Sequence, residues 1–95
     1  MDNPTHPHLD VSDVTIPDDF VDVSWKNDVC PSLAPNGDDR VRLWVDGKDA
    51  DGREFRGAPR FTVTVDGEDD PIYSGDDFTQ AVQIARKAYA NLTGS

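Results

Sequence analysis

The sequence lacks the features that mark secreted, membrane-spanning and nucleic-acid-binding proteins. Its one cysteine, Cys30, cannot form an internal disulfide, so nothing indicates secretion. No run approaches the roughly 18 apolar residues of a membrane-spanning helix, and the N-terminus, MDNPTHPHLD, has no basic or apolar segment. Nine Lys and Arg against 19 Asp and Glu give a net charge of −10, which disfavours binding to nucleic acid or anionic lipid. We expect a soluble cytoplasmic protein.

The acidity is concentrated at the start of the chain. Residues 1–23 hold six Asp and no Lys or Arg (net −6), whereas residues 24–95 hold 13 acids and nine bases (net −4). Residues 1–18 also contain three prolines and few apolar side chains, which predicts a flexible acidic tail before a single domain at 19–95. Three apolar residues of the tail could hold it against the domain: Val11, Val14 and Ile16.

Apolar and polar residues alternate in three segments, as in half-buried strands. These segments are FVDVSW (20–25), RVRLWVD (40–46) and RFTVTVD (60–66). A short edge strand in PIYS (71–74) follows the third segment, and REFRG (53–57) is compatible with a further short strand. The intervening residues 27–39 are rich in Pro, Asn, Asp and Gly, and these residue types predict a long loop.

Before Ser74 the apolar residues recur at every second position, and after it they recur at every third or fourth position, which predicts a C-terminal helix. Asp76 and Asp77 lie where an N-cap and the helix dipole favour acids, and Arg86 and Lys87 fall late in the helix. The predicted apolar stripe is Phe78, Ala81, Val82, Ala85, Ala88, Tyr89 and Leu92. The expected fold is α+β, an antiparallel sheet of three to four strands packed on one C-terminal helix.

One helix covers one face of such a sheet, so the other face is the first candidate binding surface. Alternation gives the helix the side that contains Val41, Leu43 and Val45. An aromatic residue beside arginines is typical of binding hot spots. The alternative is that the tail folds over Trp44. The side chains predicted for the uncovered face are Arg40, Arg42, Trp44, Arg60, Thr62 and Thr64.

The stretch SWKNDVCPSL (24–33) is the second candidate surface. Trp25 shares the parity of Val21 and Val23, so we expect it to face the helix. The polar tip of the stretch is then a contact surface made by Asn27, Asp28 and Ser32.

A catalytic role for the same stretch would need an activated Cys30 thiolate. Such a thiolate usually has a neighbouring base, most often His, whereas His6 and His8 lie in the predicted tail. The neighbouring Asp28 would raise the pKa of the thiol rather than lower it. We therefore predict no catalytic residue, and a buried structural Cys30.

The acidic turns do not match a calcium loop. Aligning Asp51 and Gly52 to positions 5 and 6 of an EF-hand puts Gly47 at position 1 and Ala58 at position 12, so both end ligands are missing. No Walker loop, dinucleotide-binding glycine pattern or paired-cysteine zinc motif is present. The sequence predicts no metal and no cofactor.

These observations favour a small acidic module that binds another protein through a basic surface of that partner. An inhibitor or accessory protein of a phage or mobile element, acting by charge mimicry, is one specific form of this hypothesis. Two alternatives stay open: an enzyme or enzyme subunit that uses Cys30 or the Asp-rich turns, and a housekeeping protein whose acidity is an adaptation to high salt.

Overall fold

A computed structural model describes residues 11–24, 31–47 and 59–94. Within these ranges the strands follow one another in the sheet in chain order, and each neighbouring pair is antiparallel. The predicted α+β fold with one C-terminal helix is confirmed, although the sheet has five strands rather than three to four. The elements are β1 Phe20–Asp22, β2 Ser32–Pro35, β3 Val41–Val45, β4 Phe61–Val65, β5 Tyr73–Gly75 and α1 Phe78–Leu92.

Strands β3 and β4 form the centre of the sheet because their apolar residues alternate in register. Leu43 lies opposite Val63, and Val45 lies opposite Phe61. All four side chains are buried beneath α1, which packs mainly on these two strands. The predicted alternation of both strands is therefore confirmed.

Helix α1 begins and ends at residues that satisfy its free backbone groups. The Asp77 carboxylate accepts a hydrogen bond from the Gln80 backbone N–H at 3.1 Å, so Asp77 is the N-cap. The Phe78 ring packs 5.2 Å from that of Phe61, between ring centroids. At the C-terminus, the backbone N–H and hydroxyl of Thr93 donate to the Tyr89 carbonyl at 3.0 and 3.1 Å.

The core also includes side chains from the segment before β1. Val11 and Val14 are 2% and 3% exposed and belong to the same apolar cluster as the sheet and helix. Three apolar residues of the predicted tail were named as able to hold it against the domain. Two of them, Val11 and Val14, lie in the core, and the third, Ile16, packs against it. Residues 1–10 of that tail lie outside the described residues.

Strand β2 lies where the sequence predicted a loop, and this prediction was wrong for residues 32–35. Leu33 lies opposite Leu43, and Pro35, which shares its parity, lies opposite Phe20, so β2 buries two side chains on the core face. The turn that follows does match its residues. Asn36 and Gly37 have φ of 51° and 78°, and the Asp38 N–H donates to the Pro35 carbonyl at 2.9 Å, as in a type I′ turn.

The predicted parity of β1 was also wrong. Phe20 is buried in the core, whereas Val21 is 48% exposed and lies on the other face of the sheet. Trp25, for which the same parity predicted a core position, lies outside the described residues. The possible strand at 53–57 does so as well.

A search of the described residues finds no helix with the length and apolar character needed to cross a membrane.

Candidate protein-binding surface

The sheet face opposite α1 presents a compact group of polar and aromatic side chains from β3 and β4. Arg42 lies opposite Thr64, and Trp44 lies opposite Thr62. All four residues are half-buried. We call this group the Trp44 surface. The structure therefore brings together Arg42, Trp44 and Thr62, which the sequence assigned to one face.

The indole of Trp44 is held in place by two neighbours on this surface. Its N–H donates to the Thr64 hydroxyl at 2.9 Å, and the Arg42 guanidinium carbon lies 5.3 Å from the ring centroid. A guanidinium at this distance from an indole ring makes a cation–π contact. Trp44 is thus neither a freely exposed side chain nor a core side chain.

A concavity of about 430 Å³ lies beside the Trp44 surface. One wall is formed by Arg42, Trp44 and Thr64, and another by the turn after β4, with Asp66 and Glu68. That turn runs through Asp66, Gly67, Glu68, Asp69 and Asp70, and all five residues are exposed. We call it the acidic turn. Its sequence, DGEDD, is rich in the residue types of turns, but its proximity to Trp44 depends on the β3–β4 register.

Arg40 and Arg42 carry their own counter-ions. The Arg40 Nε lies 2.9 and 3.1 Å from the two Asp38 carboxylate oxygens, and Arg42 Nη2 lies 3.6 Å from an Asp39 oxygen. The Arg40 hydrogen bonds hold the pKa of Asp38 below its usual value, and Asp38 raises the pKa of Arg40. The positive charge predicted for this face is therefore largely offset by neighbouring aspartates.

Arg60 does not join the Trp44 surface. Its side chain is 10% exposed, and its Nη1 and Nη2 donate to the two Asp13 oxygens at 2.7 and 2.6 Å. Its Nε donates to the Asp46 carbonyl at 3.0 Å. Arg60 thus fastens the segment before β1 to the beginning of β4. No local pattern singles out Asp13 among the many aspartates, so the sequence could not reveal this pair.

The second predicted surface is described only at Ser32. Ser32 lies in β2 opposite Trp44 and is fully buried, and its backbone N–H donates to the Ser24 hydroxyl at 2.9 Å. Within the part of the chain that the structure describes, the Ser32 hydroxyl has no hydrogen-bond partner. Asn27, Asp28 and Cys30 lie outside the described residues.

The described carboxylates are not grouped as metal ligands. Across residues 11–24, 31–47 and 59–94, no set of three or more His, Cys, Asp or Glu side chains is placed to hold an ion. Asp69 and Asp70 belong to the acidic turn, where their side chains face solvent. These carboxylates supply surface charge.

Comparisons of the chain with protein-family models, with curated proteins and with solved structures found no match.

Proposed function

We propose that this protein is a binding module without catalytic activity of its own, and that its partner is a protein with a basic surface. The contact is made by the Trp44 surface together with the acidic turn. Inhibition of a nucleic-acid-binding partner by charge mimicry, as in proteins of phages and mobile elements, is the specific form that we favour.

The observation that carries this proposal is that the described arginines are paired with aspartates, whereas the carboxylates of the acidic turn are exposed. Each described arginine is ion-paired with an aspartate, in the pairs Arg40–Asp38, Arg42–Asp39, Arg60–Asp13 and Arg86–Asp19. These four arginines are thus engaged within the protein, whereas the carboxylates of the acidic turn are exposed.

An excess of acidic residues is concentrated in one part of the chain. No Lys or Arg occurs between Arg60 and Arg86, and this stretch contains six acids. Four of the six lie in the exposed acidic turn. A single-sign surface of this kind speeds association with an oppositely charged partner and favours it over other proteins.

Trp44 supplies the apolar element that charge alone lacks. Hot spots of protein interfaces are enriched in Trp and Arg. Because Thr64 and Arg42 already hold the indole, little further side-chain freedom is lost when a partner covers it. The exposed carboxylates would then guide the partner, and Trp44 would contribute to the lifetime of the complex.

Affinity capture from the native host, followed by a salt titration of the captured complex, tests this proposal. The variant Asp66→Asn/Glu68→Gln removes two charges beside Trp44, and Asp18→Asn/Asp22→Asn removes two charges elsewhere. We expect the first variant, but not the second, to weaken capture, and we expect salt to release the partner from the wild-type protein. Capture that resists both salt and the first variant would contradict the proposal.

A further inference from the structure

A second concave region lies on the other side of the acidic turn, between the last turns of α1 and the beginning of β5. It is a groove of about 290 Å³ whose wall includes Val65, Ile72, Ala88 and Leu92. Ile72, just before β5, and Leu92, at the end of α1, are 41% and 38% exposed, so two large aliphatic side chains of this wall are open to solvent. We call this region the Ile72 groove.

The walls of the Ile72 groove are fixed by backbone hydrogen bonds. The Ile72 N–H donates to the Val63 carbonyl at 2.9 Å, which holds Ile72 against β4. Leu92 is the last residue of α1, and Thr93 closes that turn on Tyr89. A groove built on a strand and a helix end needs little rearrangement to accept a side chain.

One carboxylate of the acidic turn, Glu68, lies on the Ile72 groove, and the rest of the acidic turn continues from it. Glu68 and Val65 also line the concavity beside Trp44, so the two concave regions share one border. A partner that covers the acidic turn therefore reaches both.

We infer that the Ile72 groove receives a large aliphatic side chain, Leu or Ile, from a segment of the partner protein in which lysines or arginines flank that side chain. This inference rests on the proposed function and deepens it, because it names the residue type that the basic partner inserts. The apolar walls match the aliphatic side chain, and Glu68 with the other exposed carboxylates of the acidic turn matches its basic neighbours. A second copy of this chain is a poor occupant because its own net charge of −10 is repelled by the acidic turn beside the groove.

The test uses a labelled synthetic peptide of lysines with one central leucine, and its analogue with serine at the centre. Fluorescence anisotropy at low salt measures the affinity of both for the full-length protein. We expect the leucine peptide to bind about tenfold more tightly, the scale expected when one aliphatic side chain is buried. Ile72→Ser and Leu92→Ser should each reduce this preference for leucine. Val21→Ser, which changes another exposed aliphatic residue on β1, should leave it unchanged.

The outcomes separate this inference from the proposed function. Equal binding of both peptides, weakened by Asp66→Asn/Glu68→Gln, would overturn the groove and leave charge-driven binding in place. Binding of neither peptide would overturn both. A wild-type dimer in analytical ultracentrifugation that Ile72→Ser dissociates would assign the groove to self-association instead. Thermal melts of the serine variants check that each is folded, because all three substitutions lie at exposed side chains.

Discussion

Arg60 and Asp13 form a two-pronged ion pair that joins the beginning of β4 to the segment before β1. The two nitrogen–oxygen distances are 2.7 and 2.6 Å, and the Arg60 side chain is almost completely withdrawn from solvent. Two parallel N–H···O bonds fix orientation as well as distance. Residues that the composition suggests should be mobile are therefore tied to the centre of the sheet.

We predict that Asp13→Ala destabilises the protein by about 2–4 kcal/mol, because it leaves the guanidinium buried without its carboxylate. Urea unfolding measures the change. Asp38→Ala is the matched control, since it removes an aspartate from the exposed Arg40 pair and should change stability little. Equal decreases in the free energy of unfolding would mean that the burial of Arg60 does not make its ion pair more stabilising than the exposed pair.

The side chains that Arg60 helps to hold should also matter. Val14→Ala removes two methyl groups from a site that is 3% exposed, and we expect a cost of about 1–3 kcal/mol. Val21→Ala makes the same chemical change at a half-exposed site and should stay within about 0.5 kcal/mol. Denaturant midpoints of the two variants make the comparison. Similar midpoints would show that residues 11–16 do not belong to the cooperative unit.

The sequence predicted the elements whose pattern is long and agrees with the final packing. Val41, Leu43 and Val45 alternate over a full strand, and a shift of one residue would bury Arg42 and Trp44 instead. The helix stripe is similarly unambiguous from Phe78 to Tyr89, whereas Leu92, which continues the same spacing, lies outside the core and is exposed. Register, core face and helix position could therefore be predicted from these patterns.

The predictions that were wrong concern the short strands β1 and β2. In such short segments, two backbone arrangements bury similar amounts of apolar surface. Phe20 and Val21 are both apolar, so a three-residue strand fits with either one inward, and Phe20 is chosen because it reaches the core and lies 5.8 Å from the Arg86 guanidinium. Strand β2 is bordered by Pro31 and includes Pro35, which are typical of turns. Its pairing with β1 and β3 outweighs that local preference.

The candidate site was predictable only in part for the same reason. Arg42, Trp44 and Thr62 follow from strand parity, whereas Arg60 required knowledge of a partner 47 residues away. The Ile72 groove depends on where α1 ends relative to β5, which no local pattern specifies. Parity predicts which side chains share a face, but long-range pairing decides which of them remain accessible.

The Asp19–Arg86 pair predicts a specific loss of stability in acid. Arg86 Nε and Nη2 donate to the Asp19 carboxylate at 2.7 and 2.8 Å, and these bonds hold the pKa of Asp19 below its usual value. Because the folded-state pKa is the lower one, the stabilisation is complete above the unfolded-state pKa of about 3.9 and disappears as the pH falls through the folded value. The hydrogen bonds from Arg86 lower the pKa of Asp19 by more than desolvation of the carboxylate raises it.

Melting temperatures between pH 7 and about pH 2 test this prediction. Asp19→Asn should lower the melting temperature at pH 7 and have little effect at the acid end, where the wild-type carboxyl is itself protonated. Asp18→Asn removes a neighbouring carboxylate outside this pair. Its melting temperature should therefore not show a deficit at pH 7 that disappears in acid. A difference between wild type and Asp19→Asn that persists in acid would show that the ion pair is not its source.

The last prediction concerns Trp44, whose half-buried ring is bonded to Thr64. We expect Trp44→Ala to cost about 1–2 kcal/mol, more than a typical surface substitution and less than the loss of a core aromatic side chain. It should also weaken binding of the captured partner more than Trp44→Phe, which keeps an aromatic ring. Thr64→Val removes the acceptor of the indole N–H, whereas Thr62→Val makes the same change at the residue directly opposite Trp44, which does not accept that bond. Urea unfolding should therefore place the stability of Thr64→Val closer to that of Trp44→Ala, and the stability of Thr62→Val closer to that of wild type, while partner affinity is compared for Trp44→Ala and Trp44→Phe. Partner binding that Trp44→Ala leaves intact would remove Trp44 from the interface, whatever its effect on stability.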